Sequence, residues 1–210
     1  MDNIAAVADL IRQEVSALAP LYGLVLAGGQ STRMGSDKGE IKLHGKNQRD
    51  HLMELLAPYT EQQFISARAE QGNQWGDTYP IISDRLINMG PFGALISAFM
   101  AHPDAAWLVL AVDLPHFDER AILELVAARN PSAIATSYRS PVSGFPEPLA
   151  AIWEPKSYAH LLSFLAQGYS CPRKVLINSP HTEIIEPYHP QILANMNTPQ
   201  DLADARKRIE

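Results

Sequence analysis

The stretch Leu24-Val25-Leu26-Ala27-Gly28-Gly29-Gln30-Ser31-Thr32-Arg33-Met34-Gly35-Ser36-Asp37-Lys38 combines an apolar run, a pair of glycines and two cations. Its first four residues form the kind of run that makes a strand buried on both faces of a parallel sheet. At Gly28-Gly29 the missing Cβ atoms permit unusual backbone angles and the close approach of another group. Backbone N–H groups can hold phosphate oxygens while Arg33 and Lys38 neutralise them. The stretch therefore predicts a nucleoside triphosphate site.

Two standard phosphate motifs are excluded by the spacing of these glycines. A Walker A loop requires Lys-Ser/Thr directly after its last glycine, but Gly35 is followed by Ser36-Asp37. A dinucleotide fingerprint requires G-x-G-x-x-G, which Gly28, Gly29 and Gly35 do not form. A flexible glycine loop with solvated charges is the simpler alternative when Gly-Gly is considered alone.

The complete string from Leu26 to Lys38 resembles the signature L-A-G-G-x-S-x-R-M-G-x-D-K of nucleotidyltransferases related to molybdenum cofactor guanylyltransferase. Weaker motifs extend the resemblance from about Tyr22 to Ala205. It implies a single-domain, three-layer α/β fold, Rossmann-like with a mostly parallel sheet, of the nucleotide-diphospho-sugar transferase type. It also implies that a cradle for the nucleotide is formed by Leu26, Ala27, Gly28 and Gly29, and that Lys38 and Arg33 act in catalysis by neutralising the triphosphate.

Length and composition limit the class of protein. A chain of 210 residues fits one domain, and its single cysteine, Cys171, excludes an internal disulfide and suits the reducing cytoplasm. No apolar run approaches the ~20 residues that span a membrane. A net charge of −6 argues against general nucleic-acid binding, whereas the basic segment from Arg33 to Arg49 suits a small polyphosphate. Within that segment we expect Lys42, Lys46 and Arg49 to be solvated.

Residues 1–20 are predicted to form an additional amphipathic helix ahead of a nucleotidyltransferase domain at residues 21–210. Apolar residues recur there at spacings of three and four, and Pro20 ends the pattern. The helix packs on its own domain, docks a partner such as another protein of molybdenum cofactor biosynthesis, or is the end of an upstream domain. The stripe consists of Ile4, Val7, Ala8, Ile11, Val15 and Leu18.

Asp113 follows the clearest buried strand, Trp107–Val112. Open α/β sheets bind their ligands at the carboxyl ends of such strands, and a carboxylate suits Mg²⁺ bridging phosphates. The alternative role is capping the turn before Pro115. The resembling family has C-D-x-P here, with Val112 replacing the cysteine, and the resemblance implies that Asp113 is the catalytic ligand of Mg²⁺, which Mn²⁺ could replace.

Other site residues follow from the resemblance. Asp84 precedes Gly90-Pro91-Phe92, similar to the family's G-P-L segment, and is implied to contact the nucleoside; its alternative role is capping the following turn. The family often has a nucleotide-contacting asparagine where this chain has Ser66 or Arg68. Asn195 and Asn197 lie in an N-x-N-T-P motif and are implied to bind a pterin acceptor. Thr198, Pro199 and Asp201 predict a capped helix start.

The remaining elements follow from periodicity and turn residues. Predicted helices cover residues 48–57, 94–101, 118–129 and 156–166; predicted strands cover residues 62–66, 79–82, 132–137 and 149–153; and a functional loop is predicted at residues 138–148.

The resemblance implies transfer of GMP from GTP to molybdopterin or its molybdenum form, with release of pyrophosphate. A CTP-dependent relative, a sugar-phosphate nucleotidyltransferase and a non-catalytic nucleotide-binding subunit remain open at this point. The N-x-N-T-P motif favours the pterin acceptor over the sugar phosphate.

Overall fold

The computed structural model describes residues 19–28, 38–67, 78–179 and 181–209. Gly29, Arg33, Arg68 and residues 1–18 of the predicted first helix lie outside these ranges. Within the described ranges, no helix is both long enough and apolar enough to pass through a bilayer.

A seven-stranded mixed sheet forms the centre of the fold, in the order β5-β4-β1-β6-β8-β7-β9. Only β8 runs against the other six strands, so the predicted mostly parallel sheet is confirmed. A separate hairpin is formed by β2 and β3. The bounds are Leu21–Leu26 (β1), Lys42–Leu43 (β2), Lys46–Asn47 (β3), Gln62–Ala67 (β4), Ile81–Ser83 (β5), Ala106–Ala111 (β6), Ala135–Arg139 (β7), Pro146–Trp153 (β8) and Glu183–Ile185 (β9).

Helices cover both faces of the sheet and make the predicted three layers. One face packs against α1 and α3, and the other packs against α2, α4 and α5. The sixth helix, α6, packs its Leu202 and Ile209 on the hairpin residues Ile41 and Leu43. The bounds are Gln48–Leu56 (α1), Gly90–Ala101 (α2), Glu119–Ala127 (α3), Ser157–Ala166 (α4), Pro172–Asn178 (α5) and Pro199–Ile209 (α6).

The two central strands are apolar because both of their faces are covered. All six residues of β6 are buried, and Leu24 and Val25 of β1 have no exposed surface. The chain passes from β1 to β4 and β5 on one side, then crosses to β6 on the other side of β1. This reversal creates a crevice at the carboxyl ends of β1 and β6, where open α/β sheets bind ligands.

Several predicted boundaries were wrong. The strand expected at residues 79–82 is Ile81–Ser83, and the one expected at residues 132–137 is Ala135–Arg139. The helix expected from Ala94 begins at Gly90, because Pro91 fits the first turn, where its missing N–H costs nothing. The short helix α5 and the strand β9 were not predicted.

The functional loop predicted at residues 138–148 is mostly strand. Only residues 140–145 separate β7 from β8. Pro146 and Pro148 suggested a loop, but β8 pairs with β6 only from Ala150 onward, and its register with β7 shifts between Ser137 and Arg139. Prolines are tolerated where a ladder is incomplete in this way, because their missing N–H groups are not needed there.

Arg49 was wrongly expected to be solvated. Its residue surface is only 7% exposed, and Nη1 donates to Glu40 Oε1 at 2.6 Å. Lys42 is exposed on the hairpin as expected, while Lys46 pairs with Glu54.

Candidate active site

A cleft at the crossing point of the sheet brings together most of the residues singled out in the sequence. It lies over the carboxyl ends of β1 and β6, with β4 and β5 on one side and β8 on the other. The predicted residues that line it are Leu26, Ala27, Gly28, Lys38, Ser66, Asp84 and Asp113. Unpredicted lining comes mainly from Gly90, Pro91, Ala94 and Leu149.

Lys38 and Asp113 form one end of the cleft, called here the Lys38 end. Lys38 Nζ lies 3.5 Å from Asp113 Oδ2, and both side chains are mostly buried, with 17% and 27% of their surface exposed. Burial raises the pKa of Asp113, while the charge and hydrogen bond of Lys38 act in the opposite direction. The carboxylate thus contacts the lysine rather than only capping the turn before Pro115.

Ser66 and Asp84 form the opposite end, called here the Asp84 end. The Ser66 hydroxyl donates to Asp84 Oδ1 at 2.9 Å, and Asp84 N donates to Ala67 O at 3.2 Å. Because Ser66 is opposite Ile82 in the parallel β4–β5 register, Asp84 follows β5 beside the end of β4. Neighbouring strands therefore hold this carboxylate at the cleft.

The segment after Asp84 is tied to α2. Arg85 N donates to Ser97 Oγ at 2.9 Å, and that hydroxyl donates to Gly93 O at 2.7 Å. A Cβ atom on Gly93 would lie 2.8 Å from Leu86 O, which is too close for an undistorted backbone. Glycine at this position lets the segment lie directly on the helix.

The two asparagines of the N-x-N-T-P motif take different positions. Both asparagines are exposed, but Asn197 Oδ1 accepts from Lys38 Nζ at 2.6 Å, whereas Asn195 lies two residues earlier, before the buried Met196. The predicted helix start is confirmed: Asp201 N donates to Thr198 Oγ1 at 3.1 Å, and Asp201 Oδ2 accepts from Asn197 N at 2.9 Å. The motif is therefore both a helix cap and a contact to the Lys38 end.

Glu147 was missed as a neighbour of Asp113, and it forms an ion pair with Arg173. Arg173 Nη2 lies 3.1 Å from Glu147 Oε2. Burial raises the pKa of Glu147, the charge and hydrogen bond of Arg173 act in the opposite direction, and the charge of Asp113 raises the pKa further. Glu147 lay in the segment expected to be a loop, so the sequence pattern gave its side chain no place on the sheet.

The carboxylate of Asp113 fits a magnesium ion that takes only one ligand from the protein. The described residues hold no cluster of three His, Cys, Asp or Glu side chains that could bind a metal alone. Protein-bound Mg²⁺ commonly takes one or two carboxylates and completes its coordination with water and substrate phosphates. Asp113, mostly buried at the cleft, meets that requirement.

Comparison with known proteins identifies a matching family and curated relatives. Residues 23–184 match the model of the MobA-like NTP transferase domain. The chain is 35% identical to a molybdenum cofactor biosynthesis bifunctional protein of Synechocystis over 87% of its own length, and spans 52% of that protein. It is 31% identical to a molybdenum cofactor guanylyltransferase of Vibrio cholerae, with 86% of this chain and 88% of that protein aligned.

A solved structure shares the fold. Molybdopterin-guanine dinucleotide biosynthesis protein A of Archaeoglobus fulgidus superposes with a TM-score of 0.74 at 22% identity. The superposition covers 89% of this chain and 97% of the other. The arrangement of a mixed sheet between helices is thus shared with a protein of that name.

Proposed function

This chain belongs to the MobA-like NTP transferase domain family, and on that premise we propose that it transfers GMP from GTP to molybdopterin and releases pyrophosphate. The observation that carries the proposal is the cleft itself, with Lys38 and Asp113 at one end and Asp84 at the other. The names of the curated relatives support guanylyl transfer in molybdenum cofactor biosynthesis.

The nucleotide is proposed to lie across the end of β1. Leu26, Ala27 and Gly28 form the floor there, and Gly29, outside the described residues, is proposed to continue the cradle. The carboxylate of Asp84 accepts hydrogen bonds from N–H groups of guanine or from ribose hydroxyls. Ser66 acts through Asp84, since its hydroxyl donates to that carboxylate.

The triphosphate is proposed to extend toward the Lys38 end. An oxygen of the acceptor phosphate attacks the α-phosphorus, a new P–O bond forms, and the bond to the bridging oxygen of the leaving pyrophosphate breaks. Lys38 neutralises the charge that develops on the leaving group, and Arg33, outside the described residues, is proposed to assist it. Positioning and charge stabilisation of this kind can supply most of the catalysis, so no covalent enzyme intermediate is required.

Asp113 is proposed to hold Mg²⁺, or Mn²⁺ in its place. When bound, the ion would supply positive charge to the phosphate oxygens. Without the ion, the Asp113 carboxylate keeps the lysine ammonium at the cleft, since the two lie 3.5 Å apart.

The acceptor is proposed to bind near the N-x-N-T-P motif, where Asn195 and Asn197 offer amide donors and acceptors to a polar heterocycle. A cytoplasmic location forms part of the proposal. The exposed free thiol of Cys171 supports it, because such a thiol suits a reducing compartment.

The direct test measures pyrophosphate release with GTP, CTP, ATP and UTP, each with and without molybdopterin. We expect release only when GTP and molybdopterin are both present. If CTP were the only nucleotide that gave release, the protein would transfer CMP rather than GMP. Tight nucleotide binding without release under any of these conditions would indicate a non-catalytic subunit.

A further inference from the structure

Lys38 has a contact that the proposed chemistry does not explain. Its Nζ donates to Asn197 Oδ1 at 2.6 Å, which is closer than its 3.5 Å approach to Asp113 Oδ2. The two residues are separated by 159 positions in the chain. The contacts of the ammonium therefore include a neutral amide oxygen as well as a carboxylate.

The backbone around Asn197 is fixed on both sides. On one side, Met196 N donates to Asp113 O at 2.8 Å, and the fully buried Met196 side chain packs with Ile41 and Leu43. On the other side, Asp201 Oδ2 accepts from Asn197 N at 2.9 Å and from Thr198 N at 2.8 Å. Asn197 is thus anchored to the segment that carries Asp113 and to the start of α6.

The chemical nature of the acceptor matters. A carboxylate at this position would add negative charge beside an ammonium that already faces Asp113. An amide oxygen directs a hydrogen bond to the ammonium without adding negative charge to the cleft where phosphate oxygens are proposed to bind. Preorganised charge of this kind is what an active site needs for a group that becomes negative during the reaction.

We propose that Asn197 is a positioning residue for Lys38, linking the acceptor side of the cleft to the nucleotide phosphates. This inference rests on the proposed function, since it deepens the role of the same site. It differs from acceptor binding because it makes nucleotide affinity depend on Asn197 even when no acceptor is present.

A double-mutant cycle tests this inference by calorimetric binding of GTP·Mg²⁺ without acceptor. Asn197→Ala should weaken binding about tenfold in the wild-type background, because a hydrogen bond to a charged group is lost. In the Lys38→Ala background the same substitution should change the Kd less than about twofold, because Asn197 acts through Lys38. Asn197→Asp should also weaken binding, because its carboxylate would add negative charge where the phosphates are proposed to bind.

Gln200→Ala provides the matched control. Gln200 is exposed on α6 and donates to Asp204, so this variant should bind GTP·Mg²⁺ like the wild type. Asn197 is exposed, so its variants should keep the wild-type melting temperature. An unchanged Kd in Asn197→Ala, an equal loss in both backgrounds, or wild-type affinity in Asn197→Asp would overturn the inference.

The cycle remains informative if the proposed reaction is wrong, since it requires binding and not turnover. If the wild type binds CTP·Mg²⁺ better than GTP·Mg²⁺, guanylyl transfer fails as the proposed function. The same cycle with CTP·Mg²⁺ then decides the role of Asn197 separately.

Discussion

The two ends of the cleft are built in different ways. At the Asp84 end, Ser66 and Asp84 come from neighbouring parallel strands and meet through one neutral–charged hydrogen bond. At the Lys38 end, three distant parts of the chain bring together Lys38, Asp113 and Asn197, two of them charged and mostly buried. The register of two neighbouring strands is thus sufficient to place Asp84 for recognition. The charged groups Lys38 and Asp113 are instead held in mostly buried positions by contacts between distant parts of the chain.

The largest expected effect is at Asp113. Asp113→Asn should lower turnover by more than about 10³-fold, because it removes the charge proposed to hold the metal at the phosphates. The melting temperature should not fall. Burial raises the pKa of Asp113 in the folded protein, so its ionised form disfavours folding at neutral pH, and removing that charge relieves the cost. Steady-state kinetics and a thermal scan on the same sample measure the turnover and the melting temperature. A variant with near-normal turnover at saturating Mg²⁺ would contradict the role of Asp113.

Lys38 should show a somewhat smaller effect, expressed mainly in kcat. Lys38→Ala should reduce kcat by about 10²–10³-fold and GTP affinity by less, since the fixed cation is most effective when charge develops on the leaving group. Lys38→Arg should recover only part of the rate, because a planar guanidinium places its donors differently. The check is kcat beside a calorimetric Kd. Equal losses in the two quantities would make Lys38 a binding residue only.

At the Asp84 end we expect a loss of recognition rather than of rate. Ser66→Ala should raise the KM for GTP about five- to tenfold, with kcat changed less than about twofold, because a hydrogen bond that orients a charged group is lost. Ser163→Ala, in an exposed serine of α4, is the matched control and should behave like the wild type. A large drop in kcat for Ser66→Ala would remove the distinction between the two ends.

The smallest effect expected is a shift in titration without nucleotide. Carbon-13 NMR should find the pKa of Asp113 above its ordinary value of 3.8, and higher still in Lys38→Ala, because Lys38 lowers it. The pKa of Asp201 should lie below the same ordinary value, because hydrogen bonds from the backbone N–H of Asn197 and from Thr198 lower it. An Asp113 pKa that stays unchanged on removal of Lys38 would show that the two groups do not interact.

The sequence was informative where chemistry follows directly from a buried strand. The strands ending at Leu26 and Ala111 are continuous apolar runs, so the residues just beyond them could be assigned to the ligand edge of the sheet. Asp84 needed the family resemblance as well, because its strand has only three residues. The parallel sheet and its covering helices followed from the same apolar patterns.

Contacts between distant parts of the chain, and a strand whose apolar alternation is interrupted by prolines, could not be predicted in this way. No local signal connects Lys38 with Asn197, because the contact depends on how α6 packs against the hairpin. Glu147 was missed because Pro146 and Pro148 made the start of β8 look like a loop. Prolines are tolerated there because β8 does not pair with β6 before Ala150. Arg49 was assigned to solvent because one sequence does not show that Glu40 lies beside it.

The most direct test of the proposed reaction is a single-turnover transfer measured with GTP labelled on its α-phosphate, Mg²⁺ and molybdopterin. Wild-type protein should move the label to molybdopterin in an amount equal to the pyrophosphate formed. Asp113→Asn should stay folded and transfer almost none. A wild-type protein that binds GTP·Mg²⁺ but leaves all of the label on the nucleotide in the presence of molybdopterin would contradict the proposed reaction.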